Sequence, residues 1–256
     1  MKSPALIGYA TMVRKDVGRM IRIWAQTLLP PVVTSSLYFT IFGAFIGNQV
    51  QPIDGFTYMQ FIVPGLIMMN MLTSAYSNTV FSFYFAKWTH TIDELLVSPM
   101  PNWVVIAGFL SGGIVRGFLT GILVTLVSLL FTDLALTNII VLFAAGFLTA
   151  LAFSIGGIIN AIYAKSFDGM TIVPTFVLTP LTYLGGVFYS IDLLPPFFRT
   201  LSLFNPILYM VNAFRYGFLG ISDVPLATCF AVIIGFTLAM FLWAMYLFKK
   251  GAGLKR

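Results

Sequence analysis

The chain has 256 residues, of which 59% are hydrophobic and only 9% are charged. A soluble domain carries about 25% charged residues, because a water-facing surface has to be covered by polar side chains. This composition excludes an ordinary soluble enzyme. Despite the net charge of +6, it also excludes a disordered or nucleic-acid-binding protein.

The N-terminal segment 1–24 precedes the first long apolar stretch and is predicted to form an element of its own. Its apolar residues recur at helical spacing on one side, and Arg14, Lys15 and Arg22 fall on the other. This pattern predicts a basic amphipathic helix in the cytoplasmic headgroup plane. Two interpretations remain open: the helix only orients the chain, or it also contacts a cytoplasmic partner.

The segment 25–256 is predicted to form one transmembrane domain, because long uncharged stretches recur along it. The stretches between Arg22 and Asp54 and between Asp223 and Lys249 are examples, and each exceeds the ~20 residues that cross a bilayer. We therefore predict an all-α, polytopic membrane protein with six transmembrane helices. These lie at about 28–47, 61–86, 104–131, 138–161, 172–190 and 226–248.

The basic residues predict how these helices are oriented. An even number of spans puts both termini on one side of the membrane. That side carries most of the basic residues: Lys2, Arg14, Lys15, Arg19, Arg22, Lys87, Lys165, Lys249, Lys250, Lys255 and Arg256. The opposite side carries only Arg199 and Arg215. Because positively charged loops stay in the cytoplasm, both termini are predicted to be cytoplasmic.

The loop between the second and third spans carries the pattern of a short helix. Thr91 and Glu94 have the spacing of a capping box, and Pro99 ends the helix after about two turns. A helix this short is unstable alone, so it has to pack on another part of the protein or on a partner.

The side chains of this short helix allow two interpretations. Ile92, Leu95 and Leu96 are expected to project from it. The helix then either packs on the chain's own membrane domain or fits a groove on a cytoplasmic motor subunit. In the second case Asp93 and Glu94 supply polar contacts.

The segment between Asp192 and Asp223 is too short for two crossings and a turn, yet too apolar for a solvated loop. Asn205 followed by Pro206 is an N-cap pattern, and an earlier helix is expected to open at 193–196. Two such helices predict a hairpin that dips back into the outer leaflet. This hairpin is either a structural lid on the outer face or an external gate on a substrate path, and the two roles overlap.

The third predicted span combines small residues with one charge. Gly113, Gly117 and Gly121 recur every four residues, a spacing that lets helices approach closely. Arg116 lies on the same surface at a depth of about 20 Å. An ionisable residue at such a depth marks a functional site by default. The alternative is a structural arginine that is bonded to backbone carbonyls and hydroxyl groups.

Several kinds of chemistry are excluded by residue type. The chain has one cysteine, Cys229, and one histidine, His90, which excludes a thiolate metal cluster and a multi-histidine metal site. It lacks the pattern G-x-x-x-x-G-K-[ST], so it does not hydrolyse ATP by that mechanism on its own. No acidic residue is predicted at membrane depth, which disfavours coupling to protons or cations. Energy therefore comes from elsewhere, or the protein is passive.

Over essentially its whole length the chain resembles the permeases of ABC-2 type transporters. The resemblance rests on the six spans, on the N-terminal interfacial helix and on two motifs. These motifs are Glu94-Leu95-Leu96-x-x-Pro99 and Leu194-Pro195…Phe204-Asn205-Pro206…Tyr209…Arg215. The second motif, with its Asn-Pro pair, is the more specific one.

The resemblance implies a homodimeric permease in the bacterial inner membrane, paired with two separately encoded ATPase subunits that bind ATP and Mg²⁺. It implies that residues 91–98 form the coupling helix. The residues that contact the ATPase would be Thr91, Asp93, Glu94, Leu95, Leu96 and Pro99. It also implies that 193–219 form a re-entrant external pair of helices. The gate residues there would be Pro195, Phe204, Asn205, Pro206, Tyr209 and Arg215.

The resemblance further implies export of an amphipathic, lipid-like or glycan cargo from the cytoplasm or the inner leaflet, without covalent chemistry in this chain. Aromatic candidates for the path are Tyr38, Phe39, Phe42, Phe81, Phe85, Phe176 and Tyr183. The alternative hypothesis is an ion-coupled or passive transporter or channel. A third hypothesis, an intramembrane enzyme acting on lipids, lacks a catalytic constellation in the sequence.

Overall fold

The computed structural model describes residues 4–47, 51–53 and 55–251, and within them the chain forms helices and irregular turns, apart from one isolated bridge between Ile53 and Phe56. The helices are α1 (Pro4–Arg22), α2 (Trp24–Thr27), α3 (Leu29–Phe39), α4 (Tyr58–Trp88), α5 (Thr91–Val97), α6 (Asn102–Ser128), α7 (Ile139–Tyr163), α8 (Gly169–Val173), α9 (Thr179–Tyr183), α10 (Pro196–Leu203), α11 (Pro206–Leu219) and α12 (Leu226–Lys250). The predicted all-α class is confirmed for this part of the chain. The predictions that involve Lys2, Asp54, Lys255 and Arg256 lie outside the described residues.

Helix occurs in every predicted span, but the fifth span is not one regular helix. Predicted at 172–190, it consists of α8, a π-helical turn over Pro174–Leu178 and α9, which ends at Tyr183. Pro174 and Pro180 interrupt the regular hydrogen bonding, because proline has no N–H to donate. A second π-helical turn, Thr40–Ile46, extends α3.

Three of the helices, α6, α7 and α12, are long and apolar enough to cross a membrane. α4 is longer, with 31 residues, but it is more polar, and α3 with its extension is shorter. The structure is therefore that of an apolar helical membrane protein, and the count of six spans stays a prediction.

Helix α4 lies at the centre of the bundle, where α6, α7 and α11 contact it. Its start is stabilised by a capping box that is not predicted from the sequence. Thr57 Oγ1 accepts a hydrogen bond from the Gln60 N–H over 3.3 Å, and Gln60 Oε1 accepts one from the Thr57 N–H over 3.0 Å. Most of the side chains that follow are buried and belong to the hydrophobic core.

Small residues bring α6 and α7 against α4. A Cβ at Gly113 would lie 2.8 Å from the carbonyl oxygen of Ala75, and one at Gly117 would lie 3.1 Å from the Ala75 Cβ. On α7, a Cβ at Gly157 would lie 2.8 Å from the carbonyl oxygen of Tyr76. The small residues thus serve the close approach of both helices to α4.

Helix α1 packs beside the first half of α6. Met12 lies against Gly108, and Asp16 lies against Gly112. The side of α1 that faces the bundle therefore carries a carboxylate among apolar groups. On its outer side α1 exposes the large apolar side chains Leu6, Ile7 and Ile21.

Candidate functional site

Helix α5 follows α4 after a tight turn. His90 adopts a left-handed conformation with φ of 60° and occupies the N-cap position. Thr91 is the first residue of the helix, so the predicted capping box between Thr91 and Glu94 is wrong. The left-handed His90 closes the turn after α4, so Thr91 is already helical and does not take the extended conformation of an N-cap residue. Instead, His90 Nδ1 lies 3.1 Å from Asp93 Oδ2.

α5 has a packed side and an exposed side. Ile92 is buried, and Leu95 packs against the hydrophobic core. On the other side Asp93 and Glu94 are exposed, and 86% of the Val97 surface is exposed. The helix therefore packs on the chain's own domain through one side only. Its carboxylates are left accessible to a partner.

The other residues predicted to contact a motor subunit are placed differently. Thr91 is half-buried, and its hydroxyl lies 3.0 Å from Thr89 Oγ1. Pro99 is exposed just beyond the end of α5. The side chain of Leu96 lies outside the part of the structure that is described.

Lys87 ties the junction of α4 and α5 to the end of α7. Its ammonium group donates hydrogen bonds to the carbonyl oxygens of Ile162 over 2.7 Å and of Ala164 over 3.2 Å. The last carbonyls of a helix lack donors within the helix, and a cation there also complements the helix dipole. The ends of α4 and α7 are therefore held together beside α5.

A buried polar cluster joins α1 to α4 and is not predicted from the sequence. Asp16 accepts hydrogen bonds from Asn78 over 2.9 Å, from Arg19 over 2.8 Å and from Ser82. Arg19 also donates to Ser82 Oγ over 2.6 Å. A Cβ at Gly112 would collide with the Asp16 carboxylate, so the glycine makes room for the cluster. The only pattern that could indicate it is the one-turn spacing of Asn78 and Ser82 on α4.

Arg116 is bonded to the start of the first predicted span. Its Nη2 donates to the carbonyl oxygen of Thr27 over 3.1 Å. Thr27 ends α2, and the residues whose N–H groups would normally bond to this carbonyl are Pro30 and Pro31. Arg116 supplies the donor that these prolines lack. The geometry favours the structural interpretation of this arginine.

The predicted Asn-Pro pair begins α11. The Asn205 side chain accepts from the Ile207 N–H over 3.0 Å, and Pro206 is the first helical residue. The same amide donates to the carbonyl oxygen of Leu181 over 2.6 Å. Asn205 is therefore both a helix cap and a link between α11 and α9.

Three of the other residues predicted for the external gate lie along the hairpin that α10 and α11 form. Pro195 is exposed and precedes α10, and 84% of the Phe204 surface is exposed at the turn. The Tyr209 hydroxyl donates to the carbonyl oxygen of Leu203 over 2.8 Å, which ties α11 back to α10. The hairpin thus has an apolar, exposed outer surface and a fixed turn.

Arg215 is grouped with these gate residues in the sequence prediction, but it lies in the interior. Its side chain is fully buried, and its guanidinium carbon lies 3.8 Å from the centre of the Phe61 ring. Nη2 donates to the carbonyl oxygen of Gly186 over 2.6 Å, and Nη1 lies 3.8 Å from Asp223 Oδ2. Asp223 also accepts from the Ser190 hydroxyl over 3.0 Å. Arg215 therefore holds the loops before α10 and α12 against α4.

Some of the predicted path aromatics come together around Phe188. The ring centroids of Tyr38, Phe42 and Tyr183 lie 6.0, 5.4 and 5.7 Å from that of Phe188. The other predicted path residues lie apart from this group: Phe39, Phe81, Phe85 and Phe176. Phe39 is buried, whereas Phe176 is strongly exposed.

Two carboxylates are buried in the described structure, although no acidic residue is predicted at membrane depth. Both Asp16 and Asp223 come from segments outside the predicted spans, and each pairs with an arginine. In the described ranges, no group of three or more His, Cys, Asp or Glu residues could hold a metal ion.

Comparison with known proteins gives one family and several relatives. A family model described as ABC-2 type transporter matches residues 8–219, from α1 to the last residue of α11. The chain is 53% identical over 241 residues to the inner membrane transport permease YadH of Escherichia coli (strain K12), covering 94% of each protein. It is 27% identical over 209 residues to nodulation protein J of Rhizobium leguminosarum bv. viciae, covering 78% of this chain and 80% of that protein.

Proposed function

Because this chain belongs to the ABC-2 type transporter family, we propose that it is the permease of an ATP-driven exporter in a bacterial inner membrane. Members of this family are transmembrane subunits of ABC transporters, and the family implies an ABC ATPase as partner. In the proposed assembly, two copies of the chain form a homodimer with two ATPase subunits, which bind ATP and Mg²⁺. Six spans put both termini in the cytoplasm, and α1 lies in the headgroup plane.

The observation that carries this proposal is the two-sided burial of α5. Ile92 and Leu95 attach the helix to the membrane domain, while Asp93, Glu94 and Val97 stay exposed on the other side. A motor subunit that contacts the exposed side pushes on a helix whose inner side is already packed, so the displacement is passed on. The proposed coupling surface is completed by Thr91, Leu96 and Pro99.

The elements around α5 support the transmission of such a displacement. α5 follows α4, the central helix of 31 residues, after a turn of only two residues, Thr89 and His90. Lys87 joins the end of α4 to the last carbonyls of α7, so the two helices respond together. ATP binding that closes the two motor subunits then rocks the bundle and opens a path at the interface between the two permease copies.

At the other end of the bundle, the α10–α11 hairpin is proposed to re-enter the outer leaflet as an external gate. Exposed apolar side chains support this position, because they suit contact with lipid rather than water: Leu193, Phe197, Phe198, Leu201 and Phe204. Asn205 and Tyr209 fix the turn of the hairpin.

The proposed cargo is an amphipathic, lipid-like or glycan-bearing molecule. Support comes from the aromatic group around Phe188, since Tyr38 and Tyr183 combine apolar rings with hydroxyl groups. Ion-coupled transport is the weaker alternative. The buried carboxylates Asp16 and Asp223 each pair with an arginine and are hydrogen-bonded, which disfavours a proton-carrying role.

The test is co-purification of the ATPase with the tagged chain from a strain that expresses both, followed by measurement of ATP hydrolysis. Glu94→Ala removes an exposed polar contact of α5 and is expected to lower the bound ATPase about tenfold, the effect of losing about 1.4 kcal/mol of binding energy. The matched control is Asp133→Ala, an exposed carboxylate in the loop after α6, at the opposite end of the bundle. Equal ATPase binding by the two variants, or cargo movement by the chain without any ATPase, would refute the proposal.

A further inference from the structure

A cavity of about 700 Å³ lies between α1, the last turn of α4, α5 and α6; we name it the α1 cavity. Thr89 and Thr91, at the turn into α5, line one side of it. Helix α1 lines it with four basic residues: Arg14, Lys15, Arg19 and Arg22. The α1 cavity therefore adjoins both the amphipathic helix and the helix that is proposed to meet the ATPase.

Positive charge in the α1 cavity is largely uncompensated. Asp16 is the one acidic residue of the lining, and its carboxylate is bonded to Arg19 and to two side chains of α4. Among the residues that the structure describes, no carboxylate oxygen lies within 4.0 Å of Arg14, Lys15 or Arg22. Three basic groups around one space favour the approach of an anion.

Gly18 keeps the space between these basic groups open. Arg14, Gly18 and Arg22 lie four residues apart and so share one side of α1. A Cβ at Gly18 would meet no atom within 4 Å. An anionic group can therefore approach the helix backbone at Gly18, with Arg14 and Lys15 on one side of it and Arg22 on the other. Phosphate oxygens suit this arrangement, because a guanidinium can bind two of them at once.

The remainder of the lining is mostly apolar, which selects an amphiphile over a small soluble anion. These apolar residues are Met12, Phe85, Ala86, Leu95 and Phe109. Next to the basic row, α1 also exposes Ile21, and Trp24 follows it in α2. Basic groups beside exposed apolar groups on one helix belong at the level of lipid headgroups.

We infer that the α1 cavity binds the phosphate-bearing headgroup of an inner-leaflet lipid, with Arg14, Lys15 and Arg22 as its contacts. The inference rests on the proposed function only for the position of α1 at the membrane surface. A lipid bound there contacts α1 and the turn at Thr89 and Thr91 at the same time. It therefore stabilises the position from which α5 meets its partner.

The experiment is a titration of the purified full-length chain, without ATPase, with phosphatidic acid, phosphatidylcholine or inorganic phosphate, read by native mass spectrometry. Gly18→Leu fills the open space and keeps every charge, while Arg14→Gln/Lys15→Gln/Arg22→Gln removes the charges and keeps the space. We expect the triple variant to bind phosphatidic acid about a hundredfold more weakly, since each basic residue contributes about a fivefold gain at a membrane surface. Gly18→Leu is expected to lose at least tenfold.

The control for Gly18→Leu is Gly235→Leu in α12, because a Cβ at Gly235 also meets no atom within 4 Å. This control is expected to bind phosphatidic acid as the parent chain does, and inorganic phosphate is expected to bind far more weakly than the lipid. Equal lipid affinity in the parent and both cavity variants overturns the inference. Inorganic phosphate that binds as tightly as phosphatidic acid also overturns the inference, because the cavity would then bind a free anion rather than a lipid.

A protein partner is the remaining outcome. If Gly18→Leu lowers co-purification of the ATPase but leaves the affinity for phosphatidic acid unchanged, the cavity is a protein contact and the inference is overturned. The lipid titration contains no ATPase. A negative result there refutes lipid binding in the α1 cavity, but it does not affect the co-purification test with Glu94→Ala.

Discussion

Arg116 of α6 donates a hydrogen bond to the carbonyl oxygen of Thr27 over 3.1 Å. This carbonyl has no donor within its own helix, because Pro30 and Pro31 stand three and four residues further along the chain. A side chain from a distant helix thereby completes the hydrogen bonding of the break between α2 and α3. The relationship explains why a charged residue is present in an otherwise apolar helix.

The first prediction concerns this bond. Arg116→Met removes the donor, and we expect the free energy of unfolding to fall by about 1–3 kcal/mol, because a buried carbonyl is left unsatisfied. Pro31→Ala returns a backbone N–H near Thr27, so the double variant is expected to lose less than the two single effects combined. Thermal unfolding of the detergent-purified chains measures this coupling. Strictly additive effects would contradict the assigned role of Arg116.

The second prediction compares two arginines of α10 and α11. Arg215→Met leaves the Asp223 carboxylate buried beside an apolar group, which is expected to cost about 3–5 kcal/mol. Arg199→Met breaks an ion pair with Asp192 in which both side chains are more than half exposed, and such a pair contributes at most about 1 kcal/mol. The unfolding temperatures of the two variants, each compared with that of the parent chain, measure this difference in stability. Similar losses of stability in both variants would argue against the Arg215–Asp223 pair as the main attachment of the loops before α10 and α12.

The third prediction concerns the small residues of α6. A methyl group at Gly113 would collide with the Thr79 hydroxyl and approach the Ala75 carbonyl oxygen to 2.8 Å, so Gly113→Ala is expected to lower stability by about 1–3 kcal/mol. At Gly121 the nearest atom to such a group is 3.5 Å away. Gly121→Ala should therefore leave stability unchanged or raise it, since alanine is the better helix former. Both variants are compared by thermal unfolding, and an equal loss at the two positions would contradict the packing described.

The fourth prediction concerns the attachment of α1. Asp16→Asn keeps the shape of the side chain but weakens its bonds to Arg19, so we expect faster amide hydrogen exchange in α1 and a loss of about 1–3 kcal/mol. The matched control is Asp168→Asn, at an exposed carboxylate just before α8, for which no change in α1 is expected. Unchanged exchange in α1 of Asp16→Asn would show that the apolar contacts of Met12 and its neighbours suffice to hold the helix.

The sequence alone determined the helical class, the approximate helix positions and the start of α11. Hydropathy and cap preferences act within one or two helical turns, so Asn205 and Pro206 specify a helix start wherever the segment lies. The same local reasoning failed at Thr91, because the length of the preceding α4 and the left-handed His90 decided where α5 begins.

Only the tertiary structure decided which charges are buried and what they bind. Asp16 and Arg215 lie in segments that the sequence places near the membrane surface, and their burial depends on Asn78 and Ser82 in one case and on Phe61 and Asp223 in the other. A charge can be buried only where other helices bring partners that replace its hydration. The scarcity of charge predicts a membrane protein, but helix packing decides which of the few charges hold the bundle together and which remain available for an anion or a partner.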